Sequence, residues 1–174
     1  MTYSRGYTLI ELIIAVGLFA VVMTLASGAY IIMIDLTRQA QNKATGIDNL
    51  SFALETMTRN IRTGTNYNCG GLGDCVSGAS SFSFTDSNGV DVTYRLSGTT
   101  IQQNKGGTQS ILTEPSVVVS SFMFYVSGTV PLSAGNYSQP HVTIIVSGSV
   151  SSGPGKALQS FSVETGATMR GSDL

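Results

Sequence analysis

The spacing of apolar residues divides the chain into stretches of different kinds. Between Leu12 and Ile34 no charged residue occurs. As a helix this run of about 23 residues would be ~34 Å long at ~1.5 Å per residue, enough to cross the hydrocarbon core of a bilayer. Asp35 ends it. Further on, Ile47, Leu50, Leu54, Met57 and Ile61 recur at alternating intervals of three and four. That is the apolar stripe of an amphipathic helix able to cover a sheet. From Ser80 the period falls to two. Phe82 and Phe84, then Val90, Val92, Tyr94 and Leu96, alternate around Asp86-Ser87-Asn88-Gly89, which predicts a hairpin. Further strands are expected at Thr99–Gln103, Gln109–Thr113, Val117–Val126, Val142–Val150 and Gln159–Met169, with longer loops at Gly128–Pro140 and Ser151–Lys156. A helix followed by antiparallel strands is an α+β arrangement, the sheet packing on the amphipathic half of the helix. Residues 7–63 as one helix would be ~85 Å long, the first half projecting from a globular head and Gly46 placed to bend it.

Composition sharpens the contrast between the two halves. Of 174 residues, 42% are hydrophobic and only 11% charged, against about 25% charged in ordinary soluble domains. Mean hydropathy is +0.22. The apolar helix accounts for most of that excess, and the remainder is a neutral, Ser/Thr/Gly-rich head. Nine basic residues against ten acidic leave no surplus for a phosphate backbone, and residues 64–174 hold four basic and six acidic ones. No nucleic-acid partner is expected.

The apolar run is longer than the roughly 7–15 residues of a cleaved secretory signal, and no small-x-small cleavage site follows. Arg5 precedes it, whereas Asp35, Arg38, Lys43 and Asp48 beyond it sum to zero. By the positive-inside rule the N-terminus stays cytoplasmic and the rest is exported. One charge breaks the pattern. Glu11 stands next to the uncharged portion, where a carboxylate held at depth costs roughly 2.5–3.5 kcal/mol. Two readings are open: an interfacial carboxylate favoured by the helix dipole, or a group that needs a specific cation within an apolar assembly.

Gly6-Tyr7-Thr8-Leu9-Ile10-Glu11-Leu12, followed by the long apolar helix, resembles the prepilin signature of type IV pilins and type II secretion pseudopilins. The resemblance is dense over residues 5–34. It implies a leader, residues 1–6, that a membrane aspartyl protease (the prepilin peptidase) removes between Gly6 and Tyr7, N-methylating the new amine of Tyr7. Tyr7 stands where Phe or Met is commoner. The resulting domains would be the leader, a transmembrane and filament-core helix (7–34), its amphipathic continuation (35–63) and an exported β-rich head (64–174). The cleaved amine, with an unperturbed pKa near 8, is a cation that pairs naturally with the Glu11 carboxylate of its own or a neighbouring helix. Breaking a buried pair of this kind costs ~3–5 kcal/mol, so the pair sets register more than net affinity. Ala15, Gly17, Ala20, Ala26, Gly28 and Ala29 would let such helices approach closely.

Two further features bear on the kind of subunit. Gly28-Ala29-Tyr30 occupies positions where major pilins commonly carry a proline two residues before a tyrosine. Glycine weakens a helix by only ~1 kcal/mol against ~3 for proline. Leu54-Glu55-Thr56-Met57-Thr58-Arg59-Asn60-Ile61-Arg62 is similar to the end of the long helix in J-type minor pseudopilins and their pilus counterparts. Arg59 and Arg62 are expected on a solvated or salt-bridged face. The resemblance therefore implies a minor pilin or pseudopilin in the tip or initiation complex of a type IV pilus or secretion pseudopilus. A major pilin and, less so, a DNA-uptake pilin are the alternatives. Implied partners are other pilin or pseudopilin subunits, the prepilin peptidase and an inner-membrane assembly platform. The implied location is the bacterial inner membrane with an exported head, then the filament.

Cys69-Gly70-Gly71-Leu72-Gly73-Asp74-Cys75 can close a seven-residue disulfide loop, worth roughly 2.4 kcal/mol by loop entropy, on the oxidising side of a membrane. No Ser-His-Asp spacing, phosphate loop, HExxH or EF-hand loop appears. No catalysis, cofactor or metal is expected. His141 reads as an ordinary residue at a strand start, and Asn136-Tyr137-Ser138 as a chance match to a glycosylation acceptor.

Overall fold

In a computed structural model the chain is described over residues 6–71, 73–130, 135, 138–153 and 157–170. The expected leader up to Arg5, Asn136-Tyr137 of the acceptor match and Lys156 lie outside the described residues. In chain order the elements are α1 (Leu9–Arg62), β1 (Thr65–Asn68), β2 (Cys75–Ala79), β3 (Ser81–Thr85), β4 (Asp91–Ser97), β5 (Thr100–Lys105), β6 (Thr108–Ile111), β7 (Val117–Ser127), β8 (His141–Ser151) and β9 (Leu158–Thr168). The chain divides into two units between Ala40 and Gln41.

The first unit is the apolar part of α1. Thr8 caps it: its Oγ1 accepts the Glu11 N–H at 3.4 Å and its carbonyl the Leu12 N–H at 3.2 Å, occupying amide donors that a helix start leaves unpaired. The few hydroxyls in the run turn inward to the helix's own carbonyls, Thr24 to Ala20 and Ser27 to Met23, each at 2.8 Å. A bilayer offers no water for such groups, and bonding within the helix removes that cost.

In the second unit α1 buries one face, made of Gly46, Leu50, Ala53, Leu54, Met57 and Ile61. The expected stripe is this face with two small residues added, and Ile47 sits at its edge, half-buried. Gly46 does not interrupt the helix. A Cβ there would lie 2.6 Å from Val150 Cγ1 of β8, so the glycine permits a close approach of helix and strand. At the helix end, Gly64 N–H and the Tyr67 hydroxyl both donate to the Ile61 carbonyl, at 3.0 and 2.5 Å, and Arg170 N–H donates to the Arg62 carbonyl at 2.8 Å.

All strand pairs are antiparallel, but they form two sheets where the sequence suggested one. One sheet has the order β1-β3-β4-β5-β6 and the other β2-β7-β8-β9. The reason lies at the corner between β6 and β7. Leu112 N–H still follows the first sheet, donating to Ile101 O at 2.9 Å, and buried Thr113 takes the Ile101 N–H on its Oγ1 at 3.1 Å. The chain then turns at Glu114-Pro115, where Asn49 of α1 accepts the Glu114 N–H at 3.0 Å. A proline cannot donate to a ladder, and pairing resumes from Val117 on a different partner, β8. A main-chain bond crosses the seam, Val119 N–H to Thr99 O at 2.9 Å. Phe82 of β3 stacks on Phe124 of β7 with ring centroids 5.3 Å apart, joining both sheets in one core against the helix. Tyr94 reaches from β4 to the helix, its hydroxyl accepting Asn60 Nδ2 at 3.1 Å and Gln103 Nε2 at 3.2 Å.

The β3–β4 hairpin forms as expected. Asp86 Oδ1 accepts the N–H groups of Asn88 and Val90 at 2.8 and 2.9 Å, and Gly89 adopts a φ of 76°. Oδ2 pairs with Lys105 Nζ at 2.7 Å. That ion pair, with the Val90 and Asn88 N–H groups, lowers the Asp86 carboxyl to about 2.

Candidate assembly site

Two places carry the chemistry expected from the sequence, one in each unit. In the first, Gly6 and Tyr7 precede the helix cap and Glu11 lies in the first turn of α1. A Cβ on Gly6 would meet nothing within 4 Å, and Tyr7 is 87% exposed. Both sides of the expected cleavage bond are thus open to an enzyme within this unit. Glu11 is exposed and, among the described residues, makes no ion pair. Its backbone is fixed by Thr8, three residues earlier. Thr8 is the residue that the sequence reading underused. Its signal was present, because Thr-x-x-Glu ahead of an apolar run is the pattern of a helix N-terminus.

Beyond Glu11 the helix exposes Leu12, Ile13, Val16, Leu18, Phe19 and Leu25, each at least 56% accessible. The most apolar part of the helix is long and apolar enough to cross a membrane, and none of its residues is buried. An apolar surface of this extent is stable in lipid or against other apolar helices, and not in water. At Gly28, where the sequence lacks a proline, the helix continues and a Cβ would meet nothing within 4 Å. By length and composition the apolar helix supports anchoring in a membrane.

In the second unit Cys69 and Cys75 form a disulfide with Cα atoms 6.5 Å apart, within the usual range for such a bond. Cys69 follows β1 and Cys75 begins β2, the edge strands of the two different sheets. The bond therefore staples one sheet edge to the other, a role the spacing alone did not reveal. Asp74 fastens the same loop to the start of the β7–β8 connection, accepting the Thr129 N–H at 2.9 Å and its hydroxyl at 2.8 Å. Those bonds hold the Asp74 carboxyl below its usual value, the Thr129 N–H foremost. Arg59 pairs with Glu55 at 3.1 Å on the exposed helix face, the solvated arrangement expected of it. Among the described residues no group of three or more His, Cys, Asp and Glu side chains could hold a metal ion.

Compared with known families, residues 1–27 match the prokaryotic N-terminal methylation motif. No curated protein and no solved structure matches the chain.

Proposed function

From a chain that carries the prepilin signature of type IV pilins and pseudopilins, we propose a minor pilin or pseudopilin, a structural subunit of the tip or initiation complex of a type IV pilus or type II secretion pseudopilus. The prepilin peptidase cuts between Gly6 and Tyr7 and methylates the Tyr7 amine. The helix holds the subunit in the inner membrane with its head exported until an assembly platform transfers it into a filament. There the Glu11 carboxylate meets a Tyr7 amine, and their pairing sets the register between subunits.

The observation that carries this reading is a carboxylate, Glu11, inside the methylation motif (residues 1–27) and at the head of an exposed apolar helix. The helix alone explains anchoring, and a carboxylate is a poor element of an anchor. It becomes useful once another helix brings a cation. The minor role is supported by glycine in place of proline at position 28 and by the helix-end segment Leu54–Arg62.

Replacing Glu11 by Ala tests the reading. The variant is expected to insert into the membrane normally and to fail at incorporation into filaments, scored by shearing and immunoblotting. Filaments that incorporate the variant at wild-type level would refute the pairing. Immunogold labelling tests the subunit class: sparse or terminal label is expected, and uniform label along filaments would make this a major pilin.

A further inference from the structure

The second unit has a cleft of about 520 Å³, a size typical of small-ligand sites. Two arginines far apart in sequence, Arg62 and Arg170, line it together with His141. The Arg170 N–H to Arg62 carbonyl bond, 2.8 Å, brings their backbones together. Among the described residues neither arginine has an acidic partner. The helix dipole explains part of this arrangement, since Arg62 lies in the last turn of α1 and cations favour that position. It does not explain the whole. A helix end supplies about half a negative charge against two full positive ones, and Arg170 lies outside the helix.

The lining from β8 and β9 holds a close approach. Gly166 sits inside β9, and a Cβ there would lie 3.1 Å from both Cε1 and Nε2 of His141. A glycine inside a strand costs strand stability and often marks a close approach. Here it lets the imidazole lie over bare backbone, its Nδ1 bonded to Thr168 Oγ1 at 2.9 Å. Among the described residues the cleft thus holds two arginines with no acidic partner, beside polar side chains. Guanidinium forks match carboxylates, two N–H groups to two oxygens.

We propose that this cleft binds a carboxylate, held by Arg62 and Arg170. The proposal stands independently of the assembly reading. The carboxylate has two possible sources: an external acid, or Asp173, three residues beyond Arg170.

The chain's single histidine is a ready reporter. With isotope-labelled histidine and no histidine tag, the full chain in detergent micelles gives one set of ring signals. They are followed during titration with sodium acetate at ionic strength held constant with chloride. The wild type is expected to show saturable shifts with a millimolar midpoint, and Arg62→Gln/Arg170→Gln to lose them. Both exchanges are on exposed side chains and spare the backbone bond between the two residues. An Asp173→Asn variant separates the sources. Unchanged binding in it means an external carboxylate occupies the site. Binding at least threefold tighter in it, or present only in it, means Asp173 is the occupant. Linear drift in all variants, or saturation that survives loss of both arginines, would overturn the proposal.

Discussion

Replacing Gly148 by Ala should destabilise the second unit, and the structure gives the size of the loss. Gly148 lies in β8 beside the place where β7 shifts register between Val119 and Ser121. A Cβ added there would come 2.3 Å from the Val118 carbonyl oxygen, 2.9 Å from Val119 Cα and 3.0 Å from Phe161 Cζ. The Phe161 ring can turn aside. The β7 backbone cannot move without disturbing the pairing that places Val119 and Phe122 in the core. Overpacking costs about 1–3 kcal/mol, and the backbone obstacle puts this case at the upper end. Against it stands a gain of about 0.4–1 kcal/mol, because alanine restricts the unfolded chain more than glycine does. The net loss is about 2 kcal/mol, or a fall of roughly 8 °C in Tm for a unit of this size. Gly71 is the control, since a Cβ there would meet nothing within 4 Å. Thermal unfolding of both variants in detergent, followed by near-ultraviolet circular dichroism, measures the difference. A Gly148→Ala protein that melts at or above the wild-type temperature would refute the close approach of β7 and β8.

Two other perturbations have expected outcomes. Cys69→Ser/Cys75→Ser removes the staple between the sheet edges, and the head should lose about 2.4 kcal/mol by the loop-entropy model; wild-type protein treated with reductant should match it in urea unfolding, and no change in either would assign the bond no role in stability. Asp86 sets a pH dependence. Its carboxyl is lowered in the folded state from 3.8 to about 2, so its contribution is present above the unfolded value and is lost as pH falls through the folded one. Between pH 4 and pH 2 the wild type should therefore lose more Tm than Asp86→Asn, and parallel curves would contradict the Lys105–Asp86 account.

Much of this molecule is legible in its sequence, because its strongest signals are periodic. The apolar run, the stripe through Met57 and Ile61, and the alternation through Phe82, Phe84, Val92 and Tyr94 all correspond to observed elements. The Cys69–Cys75 bond was legible from spacing and glycine content. β1 and β2 were not. Thr65–Asn68 is a short polar segment with Asn66 at a φ of 56°, and Cys75–Ala79 carries its apolar residues at 75, 76 and 79, so neither shows an alternating pattern. The division into two sheets was hidden for a related reason: it depends on Thr113, Pro115 and Asn49, residues whose partners lie far along the chain. The same holds for Gly46 and Gly148, whose purpose is visible only in what approaches them. Arg62, His141 and Arg170 meet only once α1, β8 and the end of β9 are in place. At the N-terminus the signature was read directly, and Thr8 could have been added from its spacing to Glu11.

The central claim is that the chain is a prepilin-type subunit matured at Gly6–Tyr7. Its most direct test is mass spectrometry of the N-terminal peptide after co-expression with a prepilin peptidase, beside a peptidase-free control. The account predicts a new N-terminus at Tyr7 carrying one methyl group, appearing only with the peptidase and abolished by Gly6→Val. A chain that retains Met1 in the presence of an active peptidase, or is cut elsewhere, would contradict it.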